Sequence, residues 1–245
     1  MSADSDSPGA RAQLTALAEG GSTTVGSRRA RPVPEPPPDP QLDGVADARP
    51  AAVLMLFGVL DGLPSDHDAQ AVAVSRDLDV LLLARATTLR AHPGQIAFPG
   101  GRLDPEDASP VAAALREARE ETGLDTDGVD VLGSLQPVPL TYSRHLVTPV
   151  LAWWRHPSPI RVVDVAESAD VFRAPVADLL DPANRGSTVV RRAGQEWRGP
   201  GFLVPHAEGT HLVWGFTAML LDGLFDRLGW TEPWDENRDL PLVMP

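Results

Sequence analysis

The alternation of hydrophobic and polar residues predicts a mixed β-sheet with flanking helices. The continuous apolar run Ala51–Leu60 is typical of a buried strand, and Ala69–Arg85 indicates a hairpin that turns at residues 76–79. Two further apolar stretches, Val129–Pro137 and His145–Trp154, favour additional strands. Because these strands are interspersed with helical patterns, we expect an α+β fold with a mixed central β-sheet.

The helices are marked by their end residues and by apolar spacing. Ser109 followed by Pro110 predicts a helix start, because serine can cap the first turn and proline fits its first position. This helix is expected to end at Gly123, since glycine is favoured just after a helix. The later pattern predicts a strand over Asp170–Arg173, a short helix over Pro175–Leu180, a hairpin over Val189–Trp197 turning at 193–194 and a helix over Trp214–Leu228.

The terminal segments differ in composition from the middle of the chain. Residues 1–48 are rich in Ser, Gly, Asp, Arg and Pro, with the run PEPPPDP at 34–40. Such a segment buries too little apolar surface to offset its ordering entropy, so we predict a disordered tail, with a short helix over Ala10–Ala18 as an alternative. The folded domain is expected to span residues 49–235, with a second tail over 236–245.

Composition excludes several classes of function. The net charge of −13 argues against sequence-independent nucleic-acid binding, which needs a surplus of cations. The lack of cysteine excludes disulfides, zinc–thiolate sites and cysteine nucleophiles. Neither a signal peptide nor an apolar run approaching 18 residues is recognisable, so we expect no membrane segment and a cytoplasmic location. The apolar segments suit a monomer core as well as a homodimer face.

Three glutamates carry the strongest chemical signal. Glu117, Glu120 and Glu121 are three and four residues apart, so a helix places their carboxylates on one face. Clustered carboxylates repel one another unless a cation joins them, and hard oxygen donors are the ligands that Mg²⁺ or Mn²⁺ prefers. Arg116 lies four residues before Glu120 and can pair with it. By itself, this string favours the solvated acidic face of an ordinary surface helix.

A glycine-rich segment before the helix makes the metal hypothesis more specific. Gly94, Gly100 and Gly101 lie in the run GQIAFPGG, and glycines allow backbone amides and carbonyls to approach a metal ion or phosphate closely. A glycine pair alone is common in turns. Its position a short loop ahead of the carboxylate helix favours a site for a phosphorylated ligand and a divalent cation.

These residues resemble the box of the Nudix hydrolase family. That box is a Gly, five residues, Glu, seven residues and then R-E-apolar-x-E-E-x-G-apolar; Gly101 and residues 116–124 match it. Asp107 stands where the first Glu belongs, and eight residues rather than seven separate it from Arg116. This shifted form with Asp is similar to the CoA pyrophosphatase branch of the family.

A second motif of that branch directly precedes the box. Its pattern is LLTxR[SA], three residues, R, three residues, G, three residues, FPGG. The chain matches it with Leu81–Ala86, Arg90, Gly94 and Phe98–Gly101, and only Leu83 departs, in place of Thr. The branch often has Ser-Gly-Phe before Val-Thr-Pro-Val, whereas this chain has Arg144 and His145 at the corresponding positions.

The resemblance implies a Nudix-type α/β/α sandwich and a set of site residues. Glu117, Glu120 and Glu121, with a backbone carbonyl near Gly101, would hold Mg²⁺ or Mn²⁺, which activates a water molecule. Either Glu117 or Glu167 would serve as the base, while Asp107 would cap or orient the loop rather than bind metal. The remaining candidates are Arg116 in catalysis and Arg85, Arg90, Gly94 and Gly100 in substrate binding.

The implied reaction is cleavage of the diphosphate of CoA or acyl-CoA to 3′,5′-ADP and the corresponding 4′-phosphopantetheine. The first alternative is a Nudix hydrolase for another nucleoside diphosphate derivative, such as ADP-ribose or a dinucleotide polyphosphate. The second is a catalytically silent Nudix module that binds a nucleotide. The complete set of Glu117, Glu120 and Glu121 favours an enzyme, because a pure binder does not need it.

Overall fold

The computed structural model describes residues 9–20, 48–59, 64–86, 94–140, 143–192, 195–206 and 209–242. The α-helices in these ranges are α1 (Ala10–Ala18), α2 (Pro110–Thr122), α3 (Val176–Leu180) and α4 (Gly215–Leu228). The strands are β1 (Arg49–Val59), β2 (Leu78–Arg85), β3 (Ile96–Ala97), β4 (Gly100–Arg102), β5 (Val129–Ser134), β6 (Val138–Leu140), β7 (His145–Trp154), β8 (Ser168–Pro175), β9 (Arg185–Arg192), β10 (Gln195–His206), β11 (Gly209–Val213) and β12 (Asp239–Leu240). None of the described helices is long and apolar enough to cross a membrane.

The first sheet is mixed and is built around β1. Strand β1 pairs in parallel with β7 and antiparallel with β2 and β4. Strand β2 pairs with β8 over most of its length and with β3 near its end. This order brings the glycine pair of β4 to the middle of the sheet and the start of β8 next to Arg85.

Both faces of the first sheet are covered, which matches the expected sandwich. Along β1, Ala52, Leu54 and Leu56 pack with the buried alanines of α2. The intervening Met55 and Phe57 pack with α1 and α4 on the opposite face. A strand that is apolar on both faces reads as a continuous hydrophobic run, so its sequence pattern alone could not assign the two faces.

A second sheet has the order β11-β10-β9-β12. The hairpin expected over Val189–Trp197 is confirmed, since β9 and β10 pair antiparallel from Arg192↔Gln195 onward. Helix α4 packs its buried face on this sheet and on the core that it shares with β2. The sequence did not predict the separate sheet.

The hairpin expected over Ala69–Arg85 is wrong, because only its second half forms a strand. The residues before Leu78 form turns and loop. Their backbone is held by the buried carboxylate of Glu232, which accepts a hydrogen bond from the Gln70 N–H at 2.9 Å and contacts the His67 ring at the same distance. A partner more than 160 residues away replaces the strand pairing that local alternation suggested.

The segment expected to be a disordered N-terminal tail contains a packed helix. Helix α1 corresponds to the short helix considered over Ala10–Ala18, and its Leu14 and Leu17 are buried in the main core. The Trp230 indole N–H donates to the Gln13 side chain at 2.7 Å. A domain start at residue 49 is therefore wrong. Helix α1 packs into the folded domain through three buried apolar residues, Ala10, Leu14 and Leu17. Residues 1–8 and 21–47 lie outside the described ranges.

The expected C-terminal tail over 236–245 also needs correction. Strand β12 pairs in parallel with β9 through Asp239↔Ser187 and Leu240↔Thr188. Leu240 is buried, and the Arg238 carbonyl accepts a hydrogen bond from the Ser187 N–H at 2.8 Å. A two-residue strand is too short to show in sequence periodicity.

Candidate active site

The glycine pair of β4 occupies a space that no other residue could fill without displacement. A Cβ atom on Gly100 would overlap the Ala52 carbonyl and lie 2.7 Å from the Val53 Cα. A Cβ atom on Gly101 would lie 2.6 Å from the Glu117 carboxylate carbon. Gly100 thus lets β4 approach β1, and Gly101 lets the carboxylate approach the loop.

Helix α2 has the ends that its sequence predicts. The Ser109 hydroxyl accepts a hydrogen bond from the Ala112 N–H at 3.2 Å, and Pro110 is the first helical residue. Gly123 ends the helix in the left-handed conformation, with φ of 68°. Its buried alanines face β1, which turns the glutamates towards the end of β4.

Glu121 is the most buried carboxylate of the three. Its Oε2 accepts a hydrogen bond from the Gly100 N–H at 2.9 Å, which ties α2 to β4. Burial raises the pKa of Glu121 to about 7, and the nearby charges of Glu117 and Glu167 act in the same direction. A cation beside this carboxylate would reverse that effect by stabilising the ionised form.

Glu117 lies against Gly101, and Glu120 is more exposed on the next turn. Burial also raises the pKa of Glu117, and the charge of Glu120 adds to that rise. Arg116 donates to Glu117 Oε1 at 3.1 Å and to Glu120 Oε2 at 3.0 Å. The pairing of Arg116 with Glu120 is the one expected from their spacing.

Arg116 is itself held by Asp107. Its guanidinium donates to both oxygens of the Asp107 carboxylate, at 3.1 and 2.9 Å. Asp107 Oδ2 also accepts the Asp104 N–H at 2.8 Å, and the Arg116 hydrogen bonds keep the pKa of Asp107 below its ordinary value. Asp107 thus orients the loop and Arg116, as expected from the sequence.

Arg85, the last residue of β2, and Glu167, directly before β8, lie near Glu121 of the carboxylate helix. The Ala86 N–H donates to the Glu167 carbonyl at 2.8 Å, so the end of β2 and the start of β8 are adjacent. The positive charge of Arg85 lowers the pKa of Glu121, opposing burial, and the Arg85 Nε is buried with no hydrogen-bond partner among the described residues. Both residues are therefore within electrostatic range of Glu121.

Of the remaining substrate-binding candidates, Gly94 is described and Arg90 is not. Gly94 has φ of 67°, and its N–H donates to the Arg85 carbonyl at 3.1 Å. This hydrogen bond joins the end of β2 to the residues that directly precede β3. Arg90 lies outside the described residues.

A group of arginines around His145 was not found from the sequence. Arg49 pairs with His145 across β1 and β7, and the charges of Arg102 and Arg49 add to burial in lowering the pKa of His145. The Arg144 carbonyl accepts the Arg49 N–H at 2.8 Å. The sequence indicated only Arg144, through its departure from the motif. Arg49 and Arg102 come close to His145 through the pairing of β1 with β7 and β4, which the sequence does not reveal.

Arg144 has a left-handed backbone, with φ of 55°. Among the described residues other than glycine, it is the one with a positive φ. This conformation favours glycine, which the resembling branch often has at this position. Arg144 thus combines a backbone conformation typical of glycine with an exposed side chain, directly before β7.

The donor set of the site fits a hard divalent cation. Burial raises the pKa of both Glu117 and Glu121. The charge of Glu120 raises the pKa of Glu117 further, and the charge of Glu117 raises that of Glu121. A divalent cation relieves both the desolvation and the repulsion, and carboxylate and carbonyl oxygens are its preferred ligands. Arg116 occupies one oxygen of Glu117 and one of Glu120, so their other oxygens are the ones left for an ion.

A model of the NUDIX domain family matches residues 66–200, more than half of the chain. The chain is 37% identical over 150 residues to "Uncharacterized Nudix hydrolase NudL" of Photorhabdus laumondii subsp. laumondii, covering 59% of this chain and 74% of that protein. The protein of the same name from Cronobacter sakazakii is 39% identical over 150 residues, covering 61% and 75%. The protein therefore belongs to the Nudix hydrolase family, whose members hydrolyse diphosphate derivatives and generally need a divalent metal ion such as Mg²⁺ or Mn²⁺.

Solved Nudix structures are similar at lower identity. The Nudix hydrolase RenU of M. smegmatis is 22% identical, with a TM-score of 0.39 over 51% of this chain and 70% of that chain. The NUDIX domain of Shewanella oneidensis NrtR, complexed with ADP ribose, is 21% identical, with a TM-score of 0.39 over 54% and 76%.

Proposed function

We propose that this Nudix hydrolase cleaves the diphosphate of CoA or acyl-CoA, releasing 3′,5′-ADP and 4′-phosphopantetheine or its acyl form. The observation that carries the hydrolytic part is the convergence of Glu117 and Glu121 on the Gly100–Gly101 turn, beside the cation of Arg85. The CoA motif over residues 81–101, with Asp107 in the shifted box, supports the narrower substrate.

In this proposal each protein group has a defined role. Glu117, Glu120 and Glu121, with a backbone carbonyl near Gly101, would hold the divalent ion. When bound, that ion neutralises diphosphate oxygens and lowers the pKa of a water nucleophile. Arg116, fixed by Asp107, positions Glu117 and Glu120, and Arg85 provides a guanidinium for a phosphate oxygen.

Two carboxylates can act as the base that accepts the proton of the attacking water. Glu117 is partly buried, and burial raises its pKa, which strengthens it as a proton acceptor. Glu167 is exposed immediately before β8, close enough for its charge to act on Glu121. The pH profiles of Glu117→Gln and Glu167→Gln distinguish them, because loss of the base removes the acidic limb of the rate profile.

The arginines around His145 support CoA over a nucleoside diphosphate without a further phosphate. Arg102 pairs with Ala51, which is two residues after Arg49 on β1. The Arg144 carbonyl accepts a hydrogen bond from the Arg49 N–H. All three are exposed. Guanidinium groups bind phosphate through forked hydrogen bonds, so this group would suit the 3′-phosphate that distinguishes CoA from dephospho-CoA.

The test is release of 3′,5′-ADP from CoA with Mg²⁺ or Mn²⁺, measured beside dephospho-CoA, ADP-ribose and a dinucleotide polyphosphate. Glu120→Gln should abolish most of the metal-dependent activity, whereas Glu19→Gln, at the exposed end of α1, is the matched control. No turnover of CoA alongside turnover of another member of the panel would overturn the substrate assignment. No metal-dependent cleavage of any member would favour a binding module instead.

A further inference from the structure

A second cluster of metal-binding side chains lies apart from the Nudix glutamates. It consists of Asp170 on β8, His206 at the end of β10 and His211 on β11. One donor atom of each side chain lies within 4.8 Å of the donor atoms of the other two. Among the described residues, these three form the group of His, Asp or Glu side chains that could hold a metal ion. We propose that this cluster binds a divalent transition-metal ion, with Zn²⁺ as the best-suited chemical class, and that the ion joins the two sheets.

The distances fit metal ligation, although the contact between His211 and Asp170 is also a long hydrogen bond. His206 Nε2 and His211 Nε2 each lie 3.3 Å from the same oxygen, Asp170 Oδ2. N–H···O hydrogen bonds usually have a length of about 2.9–3.0 Å. Tetrahedral zinc with bonds of about 2.0–2.1 Å separates neighbouring ligand atoms by about 3.3–3.4 Å. The nitrogens and the oxygen therefore have the spacing of two edges of a zinc tetrahedron.

The carboxylate is already oriented for this role. Asp170 Oδ1 accepts a hydrogen bond from the Val171 N–H at 2.8 Å, which leaves Oδ2 facing the imidazoles. Hydrogen bonds of this kind fix ligating groups and lower the entropy lost on metal binding.

Strand pairing and an aromatic ring orient the two histidines. In the β10–β11 hairpin, His206 pairs with Gly209 and His211 with Val204, so the histidines are diagonal neighbours on one face. The Phe172 ring stacks on His211 at 4.6 Å between centroids and meets His206 edge-on at 5.6 Å. Both imidazoles thus have their Nε2 atoms directed at Asp170 by packing that does not involve the metal.

The cluster lies on the opposite face of the first sheet from α2. Along β8, Phe172 packs into the core formed with α4, whereas the adjacent Val171 packs with the residues of α2. Asp170 shares the face of Phe172, because residues two apart in a strand point the same way. The proposed ion is therefore separate from the diphosphate chemistry, and the inference stands whether or not the protein hydrolyses CoA.

Two imidazoles and one carboxylate favour Zn²⁺ over Mg²⁺, because Mg²⁺ prefers oxygen ligands. The three side chains are each roughly one quarter to one third exposed, at 31%, 28% and 25% for Asp170, His206 and His211. Water can therefore reach the fourth position. Since Asp170 belongs to the first sheet and the histidines to the second, a bound ion would stabilise their contact.

The test is a zinc titration of the full chain in excess Mg²⁺, followed through the imidazole nitrogen resonances of the protein labelled in its six histidines. We expect the Nε2 signals of His206 and His211 to move together and saturate at one equivalent. Zinc should also raise the melting temperature, since it binds the folded state. Asp170→Asn and His211→Asn should weaken binding by at least about tenfold.

The matched control is His156→Asn, which removes an exposed histidine outside the cluster and should leave zinc affinity unchanged. Far-UV circular dichroism in chelator establishes that each variant is folded. If a variant unfolds, the wild-type resonances still decide the question. Unmoved His206 and His211 signals at millimolar zinc, or equal zinc affinity in wild type and a folded His211→Asn variant, would overturn the proposal.

Discussion

The carboxylate of Glu121 accepts a hydrogen bond from the backbone N–H of Gly100 at 2.9 Å, joining the helix of the Nudix box to its loop. The two residues are 21 positions apart, and the bond lies where β4 meets β1. Glu121 thus has a structural role in addition to its proposed metal-binding role.

Replacing Glu121 separates these two roles. Glu121→Gln keeps an oxygen that can accept the Gly100 N–H but loses the charge. The fold should therefore be retained while metal-dependent hydrolysis falls at least about 100-fold, which corresponds to about 2.7 kcal/mol of barrier. Glu121→Ala leaves that N–H unpaired and should also destabilise the fold by about 1–3 kcal/mol. Urea unfolding and initial rates measure the two effects. Equal loss of stability in both variants would contradict this division.

The neighbouring glycines should respond differently to alanine. In Gly101→Ala the new methyl group meets the movable end of the Glu117 side chain, so activity should fall while the melting temperature changes little. In Gly100→Ala it meets the backbone of Ala52 and Val53, so the protein should lose about 1–3 kcal/mol of stability from overpacking. Thermal unfolding and hydrolysis rates of the two purified variants check the contrast. A stable but inactive Gly100→Ala variant would contradict it.

Arg144→Gly should stabilise the protein and alter its substrate preference. Glycine adopts the observed φ of 55° without the steric cost of a side chain, which is about 1–2 kcal/mol. Loss of the guanidinium should lower the ratio of CoA to dephospho-CoA turnover if Arg144 contacts the 3′-phosphate. Arg144→Gln is the control, because it removes the charge but keeps the strained backbone. An unchanged substrate ratio in both variants would exclude Arg144 from substrate selection.

Asp79 should make stability fall as pH rises through the slightly acidic range. Burial raises its pKa to about 7, with Asp77 and Asp178 adding to the rise and Arg173 opposing it. The carboxyl is thus protonated in the folded state at a pH where it is ionised in the unfolded chain. The penalty for ionisation is absent below pH 3.8, grows between that value and about 7, and is then fully present.

Asp79→Asn should remove most of this pH dependence. The variant should be more stable than wild type at pH 8, by on the order of 1–4 kcal/mol, and similar to it near pH 4. Urea unfolding across that range measures the difference. Parallel stability curves for the two proteins would show that Asp79 titrates normally.

The sequence by itself determined the local parts of the molecule. Ser109 and Gly123 defined the ends of α2, the apolar run fixed β7 at His145–Trp154, and the spacing of Arg116 and Glu120 predicted their ion pair. These features depend on neighbours within about four residues, where helix and strand geometry dictate which side chains meet.

Only the tertiary structure decided which distant groups converge. The burial of Asp79, the docking of α1, the arginines around His145 and the meeting of Asp170 with His206 and His211 all join segments that are far apart in the chain. Strand order, register and core packing set these contacts, and no local pattern of polar and apolar residues encodes them. For the Nudix site, the sequence supplied the carboxylates, and the fold placed Glu117 and Glu121 against the glycine turn.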